Sequence, residues 1–274
     1  MREINTSTGE YKTYQIAEYH YCKIKVYDSG RILFTGSIHK MYNSINNIVA
    51  PNNGDKGFNG NDFNLVQILK MRDLLCELFN CDPKQMVFEN LEIGLNIPVN
   101  FMVEMFINSL LYHNGKKFEF RYLDHYAQVL HNNYRLKIYN KGNQYGMENK
   151  VLRIEVSAKK MIEFSSTGIR TFANVNESNL QLAYDHLLKR FDEVSYYDHT
   201  INKRGLKKHL KDKVKDYKNP RYWINNLSSN HRHRDKIKLQ SIISESSENI
   251  KELIKVKMIN KCVIINQLLL VVSV

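Results

Sequence analysis

Three short stretches alternate in a way that sorts chemistry onto one side. In 91–97 Leu91, Ile93, Leu95 and Ile97 oppose Glu92, Gly94 and Asn96; in 134–141 Leu136 and Ile138 oppose Arg135, Lys137, Tyr139 and Lys141. In 151–157 Leu152, Ile154 and Val156 oppose Arg153, Glu155 and Ser157. Side chains alternate across a strand, so each stretch has one aliphatic and one polar face. The polar inventory is two carboxylates able to hold a divalent cation, a phenol able to attack phosphorus and cations able to bind phosphate oxygens. That set suits phosphoryl transfer. The same alternation also describes an antiparallel sheet with one solvated face and no chemistry.

These strands need a scaffold. The chain has 274 residues, 43% hydrophobic and 25% charged, enough for one large domain or two small ones with a proper core. Four Pro and twelve Gly exclude a collagen-like or Pro-rich chain. No stretch of eighteen apolar residues exists to cross a bilayer, so no membrane partner is expected. The opening MREINTSTGEYKTYQIAEYH lacks the apolar stretch of a secretory signal, which makes the bacterial cytoplasm the expected compartment. Cys22, Cys76, Cys81 and Cys262 form no CxxC pair and read as buried free thiols.

Along the chain, 20–27 and 31–36 form a hairpin about Asp28-Ser29-Gly30. The Asn/Gly-rich stretch 43–61 is a loop long enough to be functional or mobile. Periodicity predicts a helix over 63–79 capped by Asp62, a strand over 86–97, and a helix over 100–113 ended by Gly115. Strands follow over 118–123, 134–141 and 150–157, then a helix opened by Asn176 with Leu180, Ala183, Tyr184, Leu187, Leu188 and Phe191 on one side. The fold class is α+β, an antiparallel sheet with helices packed on one face.

The charge is uneven. Of the net +12, residues 199–240 supply most, with 13 Lys or Arg against three acids. Leu206, Leu210, Val214 and Tyr217 make 203–218 an amphipathic helix, ended by Pro220, and few acids interleave with its lysines. That pattern points to DNA, through Lys203, Arg204, Lys207, Lys208 and Lys211, and through Arg232 and Arg234 of the run His231-Arg232-His233-Arg234. The ending CVIINQLLLVVSV is too short to span a bilayer and reads as a core strand or the product of an altered reading frame.

YRLKIYNKGNQ (134–144) and VLRIEVSAKKM (151–161), preceded by GSIHKMYN (36–43) and NLEIGLNIP (90–98) and closed by NPRYW (219–223), resemble the replication initiators of filamentous phages, the gene II protein family. Initiators of small rolling-circle plasmids look similar. The resemblance spans roughly 20–225 and implies a Rep-nuclease-like fold and a site-specific DNA nicking and joining endonuclease. Such an enzyme starts rolling-circle replication through a tyrosine–5′-phosphate intermediate, with Mg²⁺ or Mn²⁺ as cofactor. It implies a nicking domain in 1–198, a basic helical DNA-binding segment in 199–240 and a tail in 241–274. Tyr139 matches the nucleophile, with Lys141 offsetting phosphate charge or helping to deprotonate the phenol. Glu92 and Glu155 match metal positions, with His39 a third ligand, and Arg153, Lys137 and Arg135 would bind DNA. Tyr134, in a Tyr134-x-x-Lys137 spacing, is the rival nucleophile. The implied partners are single- and double-stranded origin DNA and the host helicase and polymerase. The chain departs from many rolling-circle initiators in having no His-hydrophobe-His motif. A non-catalytic origin-binding protein and a conjugative relaxase are the alternative functions.

Overall fold

The three alternating stretches are strands of one antiparallel sheet in the computed structural model, which describes residues 2–4, 11–52, 57–225 and 228–270. The chain opens with a separate four-stranded sheet, β1 (Arg2–Ile4), β2 (Tyr11–Tyr19), β3 (Cys22–Tyr27) and β4 (Ile32–Thr35). The expected turn at Asp28-Ser29-Gly30 is present, with Gly30 at φ 80°. Helix α1 (Ile38–Ile45) starts on Ser37, whose hydroxyl accepts from Lys40 N. Helix α2 (Leu65–Phe79) is capped by Asn64 and not by Asp62. The Asn64 side chain accepts from Gln67 N while the Gln67 side chain accepts from Asn64 N, satisfying two orphan donors at once.

β5 (Glu92–Pro98) is shorter than expected, because 86–91 contributes only an isolated bridge from Val87 to Thr171. The helix expected over 100–113 is a second correction. Only α3 (Val103–Ile107) is helical, followed by β6 (Leu110–His113), a reversal at Asn114-Gly115, and β7 (Lys116–Lys117). All four residues of β6 are buried, which an amphipathic surface helix cannot arrange. As a strand, the segment turns Leu110 into the main core and Tyr112, with Leu111, into a second one.

Next come β8 (Glu119–Arg121), β9 (Tyr126–Leu130), β10 (Tyr134–Asn140), α4 (Lys141–Tyr145) and β11 (Val151–Ala158). After two 3₁₀ turns, Met161–Thr167 and Phe172–Asn174, helix α5 (Glu177–Asp192) begins on Asn176 and leads to β12 (Val194–Tyr196). The central sheet runs β5-β11-β10-β9-β8, antiparallel throughout. Leu95, Ile97, Leu136, Ile138, Leu152, Ile154 and Val156 are buried on its aliphatic face, in one core with Phe106, Leu187 and Phe191. Burying each such side chain contributes about 1.5–3 kcal/mol.

The basic stretch forms α6 (Lys208–Tyr217), α7 (Pro220–Asn225) and α8 (Ser229–Ser246). The helix expected over 203–218 starts only at Lys208, yet its apolar edge is real: Val214 and Tyr217 are buried, with Leu210 and, from the preceding turn, Leu206 packed beside them. Trp223 is fully buried in this second core and its Nε1 donates to Tyr217 O at 2.8 Å. Because the same core holds Leu111 and Tyr112 around β6, the basic helices lean directly on the sheet domain, and the boundary expected at 240 falls inside α8.

The C-terminal stretch is not a strand. It belongs to α9 (Ile250–Leu270), whose Ile250, Ile254, Met258 and Cys262 recur at a four-residue spacing and enter the main core against α5, β5 and α2. Residues 271–274 lie outside the described residues. The four cysteines are free, as expected, but only Cys22 and Cys262 are buried; Cys76 and Cys81 are half-buried. Among the described residues no helix is long and apolar enough to cross a membrane.

Candidate active site

Register builds the site in two rows across three strands. Lys137 lies opposite Glu155, which lies opposite Gly94; Tyr139 lies opposite Arg153, which lies opposite Asn96. Gly94 is required here, since a Cβ at that position would come 2.5 Å from the Glu155 Cβ.

Glu155 is the hub. Its Oε2 accepts from Arg153 Nε at 2.6 Å and from Tyr139 Oη at 3.2 Å, and its Oε1 accepts from Lys137 Nζ at 2.6 Å. Lys137 Nζ also donates to Glu92 Oε2, and Arg153 Nη1 donates to Asn96 Oδ1 at 3.0 Å. Although burial alone would raise the Glu155 carboxyl, the Arg153 and Lys137 charges hold it well below the usual carboxylate range.

Only part of the polar face is shielded: Asn96, Lys141, Arg153 and Glu155 are buried, while Glu92 stays exposed and Tyr139 half-buried. The second half of the Asn/Gly-rich loop, 57–61, folds down onto that face. Asn96 Nδ2 donates to Asn59 O at 3.1 Å and to Asn61 O at 3.0 Å, while Asn59 Oδ1 accepts from Lys141 Nζ at 2.6 Å and from Tyr145 Oη at 2.7 Å. Lys141 opens α4 rather than closing β10, because Asn140 caps that helix by accepting from Asn143 N. Its side chain is 1% exposed, 3.4 Å from Tyr139 Oη and 3.1 Å from Gln144 Oε1. Burial, reinforced by the nearby Arg153 guanidinium, pushes the Lys141 ammonium down to about 6. Burial, then the Glu155 charge, pushes the Tyr139 phenol far above its ordinary value.

The proposed metal ligands do not come together as a cation site. Lys137 spans Glu92 and Glu155, Arg153 holds the other Glu155 oxygen, and His39 lies 2.8 Å through Nε2 from Asn61 Oδ1 while stacking on Phe63. Burial lowers the His39 imidazole to about 4. Among the described residues no group of three or more His, Cys, Asp or Glu side chains could hold a metal ion. With both Glu155 oxygens and one Glu92 oxygen held by lysine and arginine, and His39 held by Asn61, this arrangement does not fit Mg²⁺ or Mn²⁺.

Tyr134 is not in the site. An odd separation of three residues puts it on the opposite face of β10 from Lys137, 5% exposed in the main core, stacked on His131 with Arg190 above its ring at 4.3 Å. Arg135 shares the face of Tyr139, and its Nε is buried without a hydrogen-bond partner among the described residues. Arg153 is committed to Glu155 and Asn96, so its expected role on phosphate is not available while those bonds stand.

Lys203, Arg204 and Lys207, in the turn before α6, are exposed, as are Lys208 and Arg234 within the basic helices, and Lys211 is half-buried. Arg232 is turned inward, donating to Trp223 O at 2.6 Å with its guanidinium over the Tyr112 ring, and braces the second core. His231 sits against the Ser228 hydroxyl that caps α8.

Several site residues escape a reading by sequence. Tyr126 and Gln128 arrive on β9, opposite Tyr139 and Lys137, with Tyr126 Oη donating to Gln128 Oε1 at 2.9 Å. Asn59, Asn61, Gln144 and Tyr145 arrive from a loop and a short helix with no periodic signal; Asn96 alone was visible, through its alternation.

Compared with family models, curated proteins and solved structures, the chain gives no match.

Proposed function

We propose that the chain nicks and rejoins DNA through Tyr139, as an initiator of rolling-circle replication would. The observation that carries this reading is the Tyr139 hydroxyl, held between Glu155 and a buried lysine amine. In the proposed reaction Tyr139 Oη attacks the scissile phosphorus, the Oη–P bond forms and the P–O3′ bond breaks, leaving a 5′-phosphotyrosine and a 3′ hydroxyl. The phenolic proton, donated to Glu155 in this structure, passes to Lys141 Nζ once that group has lost the proton it donates to Tyr139 Oη, as its lowered value of about 6 allows at neutral pH, and the departing O3′ takes a proton from solvent. Arg135 and the exposed lysines of α6 would bind flanking phosphates. The requirement for Mg²⁺ or Mn²⁺ stays with the resemblance, and no step here runs through an ion.

The test is to incubate the protein with supercoiled DNA of its own replicon, with Mg²⁺, with Mn²⁺ and with chelator, and to look for a nicked circle carrying covalent protein. A nick with a 5′ adduct supports the reading. Tight binding without a nick sinks it and leaves an origin-binding module, a second reading favoured by the mutual neutralisation of Arg153, Lys137 and Glu155.

The nicking rate at limiting DNA should rise with pH through about 6 as Lys141 loses its proton, then level. Lys141→Met should remove that limb and lower the rate by about 10²–10⁴-fold. Stability should carry the same residue's mark. Between about 6 and the unfolded value of ~10.4 the unfolded chain binds the extra proton, so the Lys141 contribution makes stability rise with pH across that window. Denaturant titrations of Lys141→Met should lack that rise.

Binding has its own signature. If the basic helices neutralise about six phosphates of duplex DNA, log K should fall against log salt with a slope near −5, and a flat response would remove them from the interface.

A further inference from the structure

The β8–β9 hairpin turns through Tyr122, Leu123 and Asp124, three successive residues in the left-handed region at φ 56°, 50° and 66°. None is glycine, and each is in a conformation that a Cβ disfavours. The turn sends two apolar side chains outward, Tyr122 at 74% and Leu123 at 93% exposure.

This tip is tied to the site. His125 N donates to Tyr122 O at 3.1 Å, and Asn140 N, from the residue between Tyr139 and Lys141, donates to His125 O at 2.8 Å. Glu104 Oε1 accepts from Asn140 Nδ2 at 2.7 Å and lies 2.9 Å from His125 Nδ1. Aromatic rings continue the connection: Tyr122 packs edge-on against Tyr126 at 5.9 Å between centroids, and Tyr126 lies 5.6 Å from Tyr139. Arg121, Arg135 and Lys137 border the Tyr126 phenol together with Glu155, Arg121 being paired with Glu119 and Lys137 with Glu155 and Glu92.

One tyrosine and one leucine are far too small a patch for a stable protein interface. They do match an unpaired nucleotide. A base stacks on an aromatic ring whatever its identity, an aliphatic wedge parts a base step, and bordering cations meet the backbone.

We propose that the β8–β9 tip is a base-stacking wedge, in which Tyr122 and Leu123 hold an unpaired base of the DNA strand so that a neighbouring phosphate reaches Tyr139. The inference deepens the nicking reading by naming the substrate at that site as locally unpaired DNA, but stacking itself needs no nick.

The test uses the full chain and a short mixed-sequence single strand carrying 2-aminopurine, followed by anisotropy and by base fluorescence. Wild-type protein should quench the base. Tyr122→Ala should weaken single-strand binding about tenfold or more and abolish the quench, whereas Tyr122→Trp should retain both. The salt slope of Tyr122→Ala should equal that of wild type, because stacking releases no counterions. Unchanged affinity in Tyr122→Ala, or a loss accompanied by a shallower salt slope, overturns the wedge. A protein that quenches the base and never forms an adduct sinks the nicking reading and leaves the wedge. One that forms the adduct, with binding indifferent to Tyr122, does the reverse.

Discussion

Tyr139→Phe is expected to remove the covalent protein–DNA adduct, a loss of at least about 10³-fold of the kind seen when a covalent nucleophile is deleted. The substitution leaves the ring in place beside Tyr126 and takes away only the hydroxyl that meets Glu155 and Lys141. Glu155 keeps its Arg153 and Lys137 partners, so the fold should lose about 1 kcal/mol, the worth of one ordinary hydrogen bond. DNA affinity should stay within about twofold. The readout is a denaturing gel of protein cross-linked to a 3′-labelled strand, run beside an anisotropy titration. Tyr134→Phe should retain the adduct, because that phenol faces the core and not the site. If the adduct survives in Tyr139→Phe, the mechanism is wrong, and Tyr126, the nearest other phenol on that face, becomes the nucleophile to test.

Glu155→Ala should be the most destabilising change in the site. Arg153 is 8% exposed and Lys137 is largely enclosed, so deleting their shared carboxylate strands two cations in a face covered by 57–61. Breaking a buried pair by removing one partner costs about 3–5 kcal/mol. For a chain of this size that is a fall of roughly 6–20 °C in Tm. Glu155→Gln, which keeps the shape and part of the hydrogen bonding, should lose less. The pH dependence follows from the depressed carboxyl: its stabilisation is present above the unfolded carboxylate value of ~4.3 and is lost as pH falls below it toward the folded value. Acid titration should therefore show wild type losing stability below about pH 4, with that component missing in Glu155→Gln. A Glu155→Ala protein as stable as wild type would mean that the polar face is open to water and that the 57–61 loop does not enclose it.

The legible parts of this molecule are those with local periodicity. Leu136, Ile138, Leu152, Ile154 and Val156 declared the core side of β10 and β11, and in doing so placed Lys137, Tyr139, Arg153 and Glu155 together on the other side. Asn176 announced α5, and Leu206, Leu210, Val214 and Tyr217 announced the buried edge of the basic helices. Where local pattern and long-range packing compete, the pattern misleads. Residues 110–113 look helical until one core takes Leu110 and another takes Leu111 and Tyr112, and the stretch from Cys262 looks strand-like until Ile250, Ile254 and Met258 draw it into α9 with Cys262 as the last residue of their four-residue stripe.

The sequence by itself determined which side chains share a face, because alternation is a property of the strand and needs no partner. Whether that face is wet or dry was decided only by tertiary structure. Asn59 meets Lys141 across a separation of 82 residues, and Asn96 meets the backbone of Asn59 and Asn61 across 37 and 35. Those closures enclose Lys141 and lower its ammonium, while the register of β5, β10 and β11 sets Lys137 against Glu92 and Glu155 where a metal was expected. Burial sets the cost of every charge in the site, and burial is made by residues distant in the chain.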